Sequence, residues 1–248
     1  MSQRYEKDNL GTRMKEYEHV TRTHLVRRTP VIIRIDGRAF HTYTKHIVHA
    51  DPGVTPKSGP FSNIMHNLMV RTTEQLVQDI QGCVLGYTQS DEISLVLKDW
   101  TTLETEAWFD NNLSKILSVS SSIATMSFNR AVGLMNAHIP GAPLKPIATF
   151  DSRAYNLPVS EVVNALIWRQ QDASRNSVQM LGHHFFSQKE MNGKKNSEIQ
   201  DMLMLQHGVN WNDLETWKKR GTCVLRSTGV DEDIPIFTQN RAYIEDLL

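Results

Sequence analysis

An α+β fold built on an antiparallel βαββαβ sheet is what this sequence predicts, and three observations carry the prediction. The run Val31-Ile32-Ile33 is apolar without alternation, as in a strand covered on both faces, and it leads into Asp36-Gly37. About fifty residues on, two apolar runs, Cys83–Tyr87 and Ile93–Leu97, flank Thr88-Gln89-Ser90-Asp91-Glu92. That is the pattern of a hairpin with acids at its tip. Helical periodicity fills the intervals, so Val31 to Asp151 reads strand, helix, strand, strand, helix, strand: the ferredoxin-like plan. The right-handed crossover rule sets the first and third strands side by side in mid-sheet, bringing Asp36 and Asp91 to one end of it.

The elements follow in order. Residues 8–28 read as a helix, with Leu10, Met14, Tyr17 and Val20 at three- and four-residue spacing, ending basic at Arg22, His24, Arg27 and Arg28. A solvated face capping the core is the expectation there. Lys45 to Gly59 is a Pro- and Gly-rich loop. A helix from Ser62 to Asp79 follows, with Ser62 as N-cap and Ile64, Met65, Leu68, Met69 and Leu76 on its apolar face. After the hairpin, Leu103 to Met135 reads as one long helix whose small Ser, Thr and Ala residues permit close packing. The residues His138 to Pro146 form a loop by composition, and a strand is expected at Ile147–Phe150. Ser160 is a fair N-cap for a helix over Val162–Met180, dense in polar residues such as Arg169, Gln170 and Asp172. Ser197 caps a shorter helix that Gly208 ends, and a basic turn, Lys218-Lys219-Arg220, precedes a last strand at Thr222–Leu225. The final twenty residues, with Asp231-Glu232-Asp233, read as an acidic, partly loose tail. Residues 1–156 are expected to hold the first helix and the catalytic sheet, and 157–248 a helical C-terminal region packed against it as one compact unit.

Composition narrows the function. The chain has 248 residues, 40% of them apolar, which is enough for a sizeable core, and a formal net charge of zero argues against bulk attraction to nucleic acid. No apolar run nears the ~20 residues of a membrane span, and the first residues lack the apolar centre of a signal peptide, so a cytoplasmic protein is expected. Two cysteines, Cys83 and Cys223, lie in apolar runs and are expected to be buried free thiols.

The chemistry resides in Asp36 and Asp91. Magnesium takes hard oxygen ligands and needs only one or two protein carboxylates when substrate phosphates complete its shell, so Asp36, the Gly37 carbonyl and Asp91 suit it. Asp-Gly and Ser-Asp are also ordinary turn residues, and only their placement on adjacent strands raises them to a candidate site. Glu92 would hold or orient the cluster, although strand alternation can point it elsewhere. The amides of Arg38, Ala39, Phe40 and His41 could cradle phosphate, and Lys115, a long cation among small residues, could add a charge or be a surface lysine. The ten histidines show no zinc-ligand spacing with supporting Cys, and His183-His184 read as ordinary polar positions. No nucleophile elbow or Walker loop is present. A palm, the sheet that many nucleotidyl-transferring enzymes use, is the architecture these residues suggest, though fold alone does not fix function.

The motifs "RIDGRAFHTYTK", "GYTQSDEISLVL", "SKIL", "FDSRAY" and "WRQQD…RN" resemble those of the tRNA-His guanylyltransferase family, most closely its bacterial and archaeal guanylyltransferase-like members. The resemblance runs from about Val31 to Gly221. It implies a palm-type polymerase fold with a helical C-terminal extension, and a 3′-to-5′ polymerase that activates the 5′ end of tRNA with a nucleoside triphosphate before the 3′-hydroxyl of an incoming nucleotide attacks. It implies Asp36 and Asp91 as carboxylate ligands of two Mg2+ ions with the Gly37 carbonyl as a third ligand, and Glu92 as an essential acid. It also implies Asp36 to His41, Ser90 and Asp91 as the site of ATP or GTP, and Lys115 as the triphosphate lysine. Cytoplasmic homotetramers, built as dimers of dimers, are further implied.

Departures from the pattern matter for the substrate. The guanylyltransferases proper carry His-Ile-Asn-Asn-x-Tyr-Asn where this chain has Ser174 to Met180, with only Asn176 kept. The "FDGR" stretch is Phe150-Asp151-Ser152-Arg153, and the basic "KPND" region is stretched around Lys57. These changes fit the like-proteins, which restore nucleotides missing from 5′-truncated tRNAs by copying the opposite strand. Arg175, Asn176, Lys218, Lys219 and Arg220 are then candidate tRNA contacts, the last three being equally readable as a solvated turn. The rival readings are G addition to tRNA-His, a palm-type nucleotide cyclase and a non-catalytic tRNA binder.

Overall fold

The computed structural model describes residues 3–44, 51, 54, 59–136 and 147–248, with side chains from residue 9 onward. Lys57, much of the Lys45–Gly59 loop and the loop ending at Pro146 lie outside the described residues.

Helix α1 (Gln3–Val20) precedes β1 (Val31–Gly37), α2 (Asn63–Asp79), the hairpin β2 (Cys83–Gln89) and β3 (Glu92–Leu97), α3 (Leu113–Asn136) and β4 (Phe150–Asn156). Beyond these come α4 (Val159–Phe185), α5 (Gln188–Met191), α6 (Asn196–His207), α7 (Thr216–Arg220), β5 (Thr222–Leu225), β6 (Gly229–Asp231) and α8 (Ala242–Glu245). The sheet runs β4-β1-β3-β2-β5-β6, and every pairing in it is antiparallel. The first four strands hold the expected order, with β1 and β3 adjacent in the middle. β5 then joins β2 through Thr88↔Thr222 and Leu85↔Leu225, so the C-terminal region extends the sheet.

Alternation along the central strands divides two cores. Val31, Ile33 and Ile35 of β1 and Ile93, Leu95 and Leu97 of β3 face α2 and α3. Ile32, Val96, Leu85 and Tyr87 face the other way, onto Val162, Val163 and Leu166 of α4. Gly86 permits the close approach of α2, since a Cβ there would stand 2.5 Å from the Thr73 methyl. Helix α2 begins as predicted. The Ser62 hydroxyl accepts from the Met65 amide at 3.2 Å and donates to buried Asp51 at 2.6 Å, and the same carboxylate accepts the Ile64 amide. Cys83 and Cys223 are free and buried.

Several expectations change. The first helix ends at Val20, and Leu10, Met14, Tyr17 and Val20 are exposed, so its apolar stripe caps no described part of the core. Instead His24 pairs with Asn112 in an isolated bridge and the Leu25 amide donates to the Asn111 carbonyl, after which Arg27–Arg28 turn, with Arg28 at positive φ and its amide donating to Asp99. The long helix starts only at Leu113, because Phe109, Asp110 and Asn111 all take positive φ and interrupt it. The strand expected at Ile147–Phe150 begins at Phe150 and runs to Asn156, where it pairs with β1 along its full length. Helix α4 starts at Val159 after Pro158, and Ser160 sits inside it. Ser197 likewise lies inside α6, whose first turn is closed by the Lys195 amide donating to Glu198 at 2.7 Å, while Gly208 ends it in the left-handed region as expected. The three basic residues form the end of α7 rather than a turn.

The acidic tail is ordered structure. Asp231 belongs to β6, and Ile234, Phe237 and Ile244 are buried against Tyr87 and α4. Alternation of acids with isolated large apolar residues hid this, since each apolar residue anchors a separate turn. No described helix is long and apolar enough to cross a membrane. Phe237→Ala should cost about 3–5 kcal/mol by urea denaturation, the range for emptying a buried aromatic site; a loss under ~1 kcal/mol would return the tail to a peripheral role.

Candidate active site at the end of the central strands

Strand β1 carries Asp36 on its sixth residue, on the face toward α4. Register places Asp36 opposite Glu92 of β3 and opposite Asp151 of β4. The hairpin tip then folds over the strand end, where the Gly37 amide donates to the Asp91 carbonyl at 3.0 Å. Ser90 takes positive φ, making the reversal sharp enough to leave Asp91 beside Asp36. The Asp91 carboxyl is pushed up to about 6, by burial first and by the facing Asp36 charge second. A buried carboxylate facing a second one is a hard donor set suited to a divalent cation, whose charge would favour the ionised Asp91. Among the described residues no group of three or more His, Cys, Asp and Glu side chains could hold a metal, so a cation here would depend on this pair, the neighbouring carbonyl and substrate oxygens.

Glu92 has a different place. Both its oxygens accept from Arg169 of α4, at 2.6 and 2.7 Å, and Arg169 donates a further bond to Asp172 at 3.0 Å. Burial pushes the Glu92 carboxyl above its usual range and the Arg169 guanidinium opposes that shift. Glu92 is thereby neutralised and fixed, and it ties α4 to the hairpin. The sequence had shown Arg169 only as one of many polar residues on a helix.

The phosphate-cradle residues lie directly beyond Gly37. A Cβ on Gly37 would stand 2.4 Å from the Phe40 ring, so glycine is required here by packing. Phe40 itself is a core residue, in ring contact with Tyr43, Phe128 and Phe150. The Arg38 amide donates to the Thr149 carbonyl at 2.8 Å. Residues 40–44 then form a helical turn, whose first amides a helix leaves without an intrahelical partner, with Ala39 at positive φ and His41 exposed.

Lys115 is not brought to this place. Its amide is capped by Asn112 at the start of α3, Asn112 bridges to His24, and the neighbouring Asn111 amide group donates to the Val26 carbonyl. Val26 in turn bonds Asn156, which pairs with Val31. Lys115 therefore stands in the first turn of α3, toward the Val31 end of β1, with its ammonium 5.7 Å from the centre of the Phe109 ring. Spacing in sequence could not reveal this, because the left-handed turn before α3 sets where that helix starts.

Beside the hairpin tip opens a cavity of about 270 Å3, lined by Gln89 and Ser90, by Met65 and His66 of α2, and by Asn176 and Met180 of α4, with α7 closing it. Its wall includes Trp217 stacked on His66, ring centres 4.1 Å apart, with His66 held by Glu232 at 2.9 Å. Lys218, Lys219 and Arg220 all line it, and each is already oriented by the protein. Lys218 pairs with Glu215 at 2.8 Å, Lys219 donates to the Asn212 carbonyl at 2.5 Å and Arg220 to the Ile234 carbonyl at 3.0 Å. Of the candidate RNA contacts, Asn176 thus faces this cavity, while Arg175 is paired with Asp172 and faces away. His66, Met180 and Trp217 were not foreseen, since they come from three distant segments and only the basic run near Trp217 gave any signal.

Paired carboxylates at the end of the two central strands of a βαββαβ sheet mark a palm-type nucleotidyltransferase, and the chain is of that class. The family described as tRNAHis guanylyltransferase matches residues 11–158, more than half of the chain, and the protein belongs to that family. It is similar to the structure of a bacterial tRNA(His) guanylyltransferase-like protein in complex with ATP, with 43% identity, a TM-score of 0.86, and 96% of this chain and 99% of that one covered. A bacterial tRNA(His) guanylyltransferase-like protein in complex with GTP aligns at 40% identity and a TM-score of 0.79, covering 97% of this chain and 99% of that one. The tRNA(His) guanylyltransferase of Schizosaccharomyces pombe is 28% identical over 226 residues, 86% of this chain and 78% of that protein.

Removing Arg169 alone strands a buried carboxylate. Arg169→Leu should cost about 3–5 kcal/mol, and Arg169→Leu/Glu92→Leu should recover most of it. Equilibrium unfolding of the two variants reads this directly, and equal losses in both would show that the pair is not what anchors α4.

Proposed function

We propose that this protein is a magnesium-dependent, template-directed 3′-to-5′ nucleotidyltransferase that activates the 5′ end of tRNA and adds nucleotides to it, repairing 5′-truncated tRNAs. The convergence of Asp36 and Asp91 over Gly37 is the observation that carries this reading. The likeness to proteins solved with ATP and with GTP supports nucleoside triphosphates as substrates. Magnesium held by Asp36, the Gly37 carbonyl and Asp91 would supply activation of the attacking hydroxyl and charge neutralisation at the leaving oxygen.

The chain's own residues do the rest. The amides of residues 39–41 donate to phosphate oxygens, the role open N–H groups at a helix start serve. The cavity beside Ser90 takes a nucleobase against the His66–Trp217 pair, and Lys218 and Lys219 steady its phosphates. Glu92, held by Arg169, sets the hairpin tip so that Asp91 faces Asp36. Base pairing with the opposite strand selects the incoming nucleotide, so no side chain is needed to read it.

A labelled nucleotide should enter the 5′ end of a truncated tRNA and match the opposite base, and Asp36→Ala or Asp91→Ala should lower the rate by roughly a thousandfold. Addition of G to intact tRNA-His with no repair would favour the dedicated guanylyltransferase, which the names of the relatives also support. A cyclic product without RNA would point to a cyclase, and tRNA binding without turnover to a binder.

A homotetramer is part of this reading, supported by the exposed Leu10, Met14, Tyr17 and Val20 on α1. A tRNA substrate supports a cytoplasmic place of action. Sedimentation velocity should give a tetramer that Leu10→Glu/Met14→Glu reduces to smaller species; a monomeric wild-type protein would exclude it.

A further inference from the structure

A second concavity, of about 390 Å3, lies between α4, α6 and α7. Lys219 and Arg220 line both it and the cavity beside the hairpin tip, so α7 is the ridge between the two. Gln171, Ser174 and Arg175 stand on its α4 side, with Gln200 and Asn212 across from them. Among the described residues no acidic one lines it, and the Arg175 side chain stays 64% exposed although Asp172 holds one end of it.

The distinguishing feature is which side chains are engaged. Gln170 bonds both the Pro235 carbonyl and the Phe237 amide, and Gln179 donates to Asn196 at 2.6 Å. Those amides are structural. Gln171, Ser174 and Gln200 have no hydrogen-bond partner among the described residues. Two free amides and a hydroxyl gathered in a concavity, bordered by Arg175, Lys219 and Arg220, match the needs of single-stranded RNA. The amides can meet base edges, and the cations can meet phosphates. Val178, Trp211 and Ile236 supply apolar wall on which bases can lie, and the missing acidic rim disfavours a basic protein surface as occupant.

The reaction supplies the occupant. Templated addition at a 5′ end needs an opposite strand that runs beyond that end, and its uncopied nucleotides are unpaired. We propose that this groove holds the unpaired 3′ overhang of the template strand, passing over α7 from the catalytic cavity; the assignment rests on the polymerase reading above.

The test compares two fluorescent RNA hairpins, one blunt and one with a four-nucleotide 3′ overhang, by anisotropy without nucleotide. Wild-type protein should prefer the overhang hairpin roughly tenfold, the size of lost base-edge contacts. Gln171→Ala/Gln200→Ala should erase that preference and leave affinity for the blunt hairpin unchanged. 4-Thiouridine in the overhang should crosslink to peptides containing residues 170–179 or 196–207. Unchanged preference in the variant, equal loss on both hairpins, or crosslinks confined to other segments would overturn the assignment. The two readings fail separately: overhang preference without any nucleotide incorporation defeats the polymerase, while templated incorporation without overhang preference defeats the groove.

Discussion

Strand β1 is hydrogen-bonded on both edges, and in both registers Asp36 stands opposite a carboxylate. Asp36 faces Glu92 on one side and Asp151 on the other, and the hairpin tip adds Asp91. Four acids at one end of a sheet repel one another, and the structure does not treat them alike. Arg169 neutralises Glu92 through two short bonds, and Arg153 lies 3.3 Å from Asp151. Asp36 and Asp91 receive no such partner among the described residues, and burial, with the facing Asp36 charge second, makes Asp91 hold its proton more tightly. The pair left without a protein cation is the pair to which the proposed function assigns the metal.

Helix α4 explains how that arrangement stays in place. Its buried polar residues are attachments rather than anomalies: Arg169 grips the hairpin, Gln170 acts as a backbone mimic for residues 235–237, and Ser177 joins the Lys218 carbonyl to the Trp211 indole. Each bond reaches a segment more than thirty residues away. The C-terminal region is thereby stitched to the catalytic end of the sheet, and α7 with its three cations is delivered to the hairpin tip. Tyr87 reinforces this from the sheet, donating to the Arg220 carbonyl at 2.7 Å.

The proposed nucleotide and strand sites would then share one scaffold. Open amides lie on the β1 side of the carboxylates and a cavity walled by aromatic rings lies on the β2 side. A two-substrate phosphoryl transfer requires such flanking positions, since its barrier is lowered chiefly by holding the reacting ends in line.

The sequence by itself determined the central sheet and its acids. Unbroken apolar runs and a hairpin pattern are local signals, and the handedness of crossovers converts them into neighbour relations without further information. Hence β1 beside β3, Ser62 at a helix start, and Asp36 near Asp91 were all legible. Tertiary structure alone decided what depends on distant segments meeting. Examples are Glu92 being claimed by Arg169, Lys115 standing toward the Val31 end of β1, and His66 stacking on Trp217. The acidic tail proved to be core for the same reason. Local periodicity reports which face of an element is buried, whereas the partner of a lone polar or aromatic side chain is set by packing across the whole chain, where no single segment carries the signal.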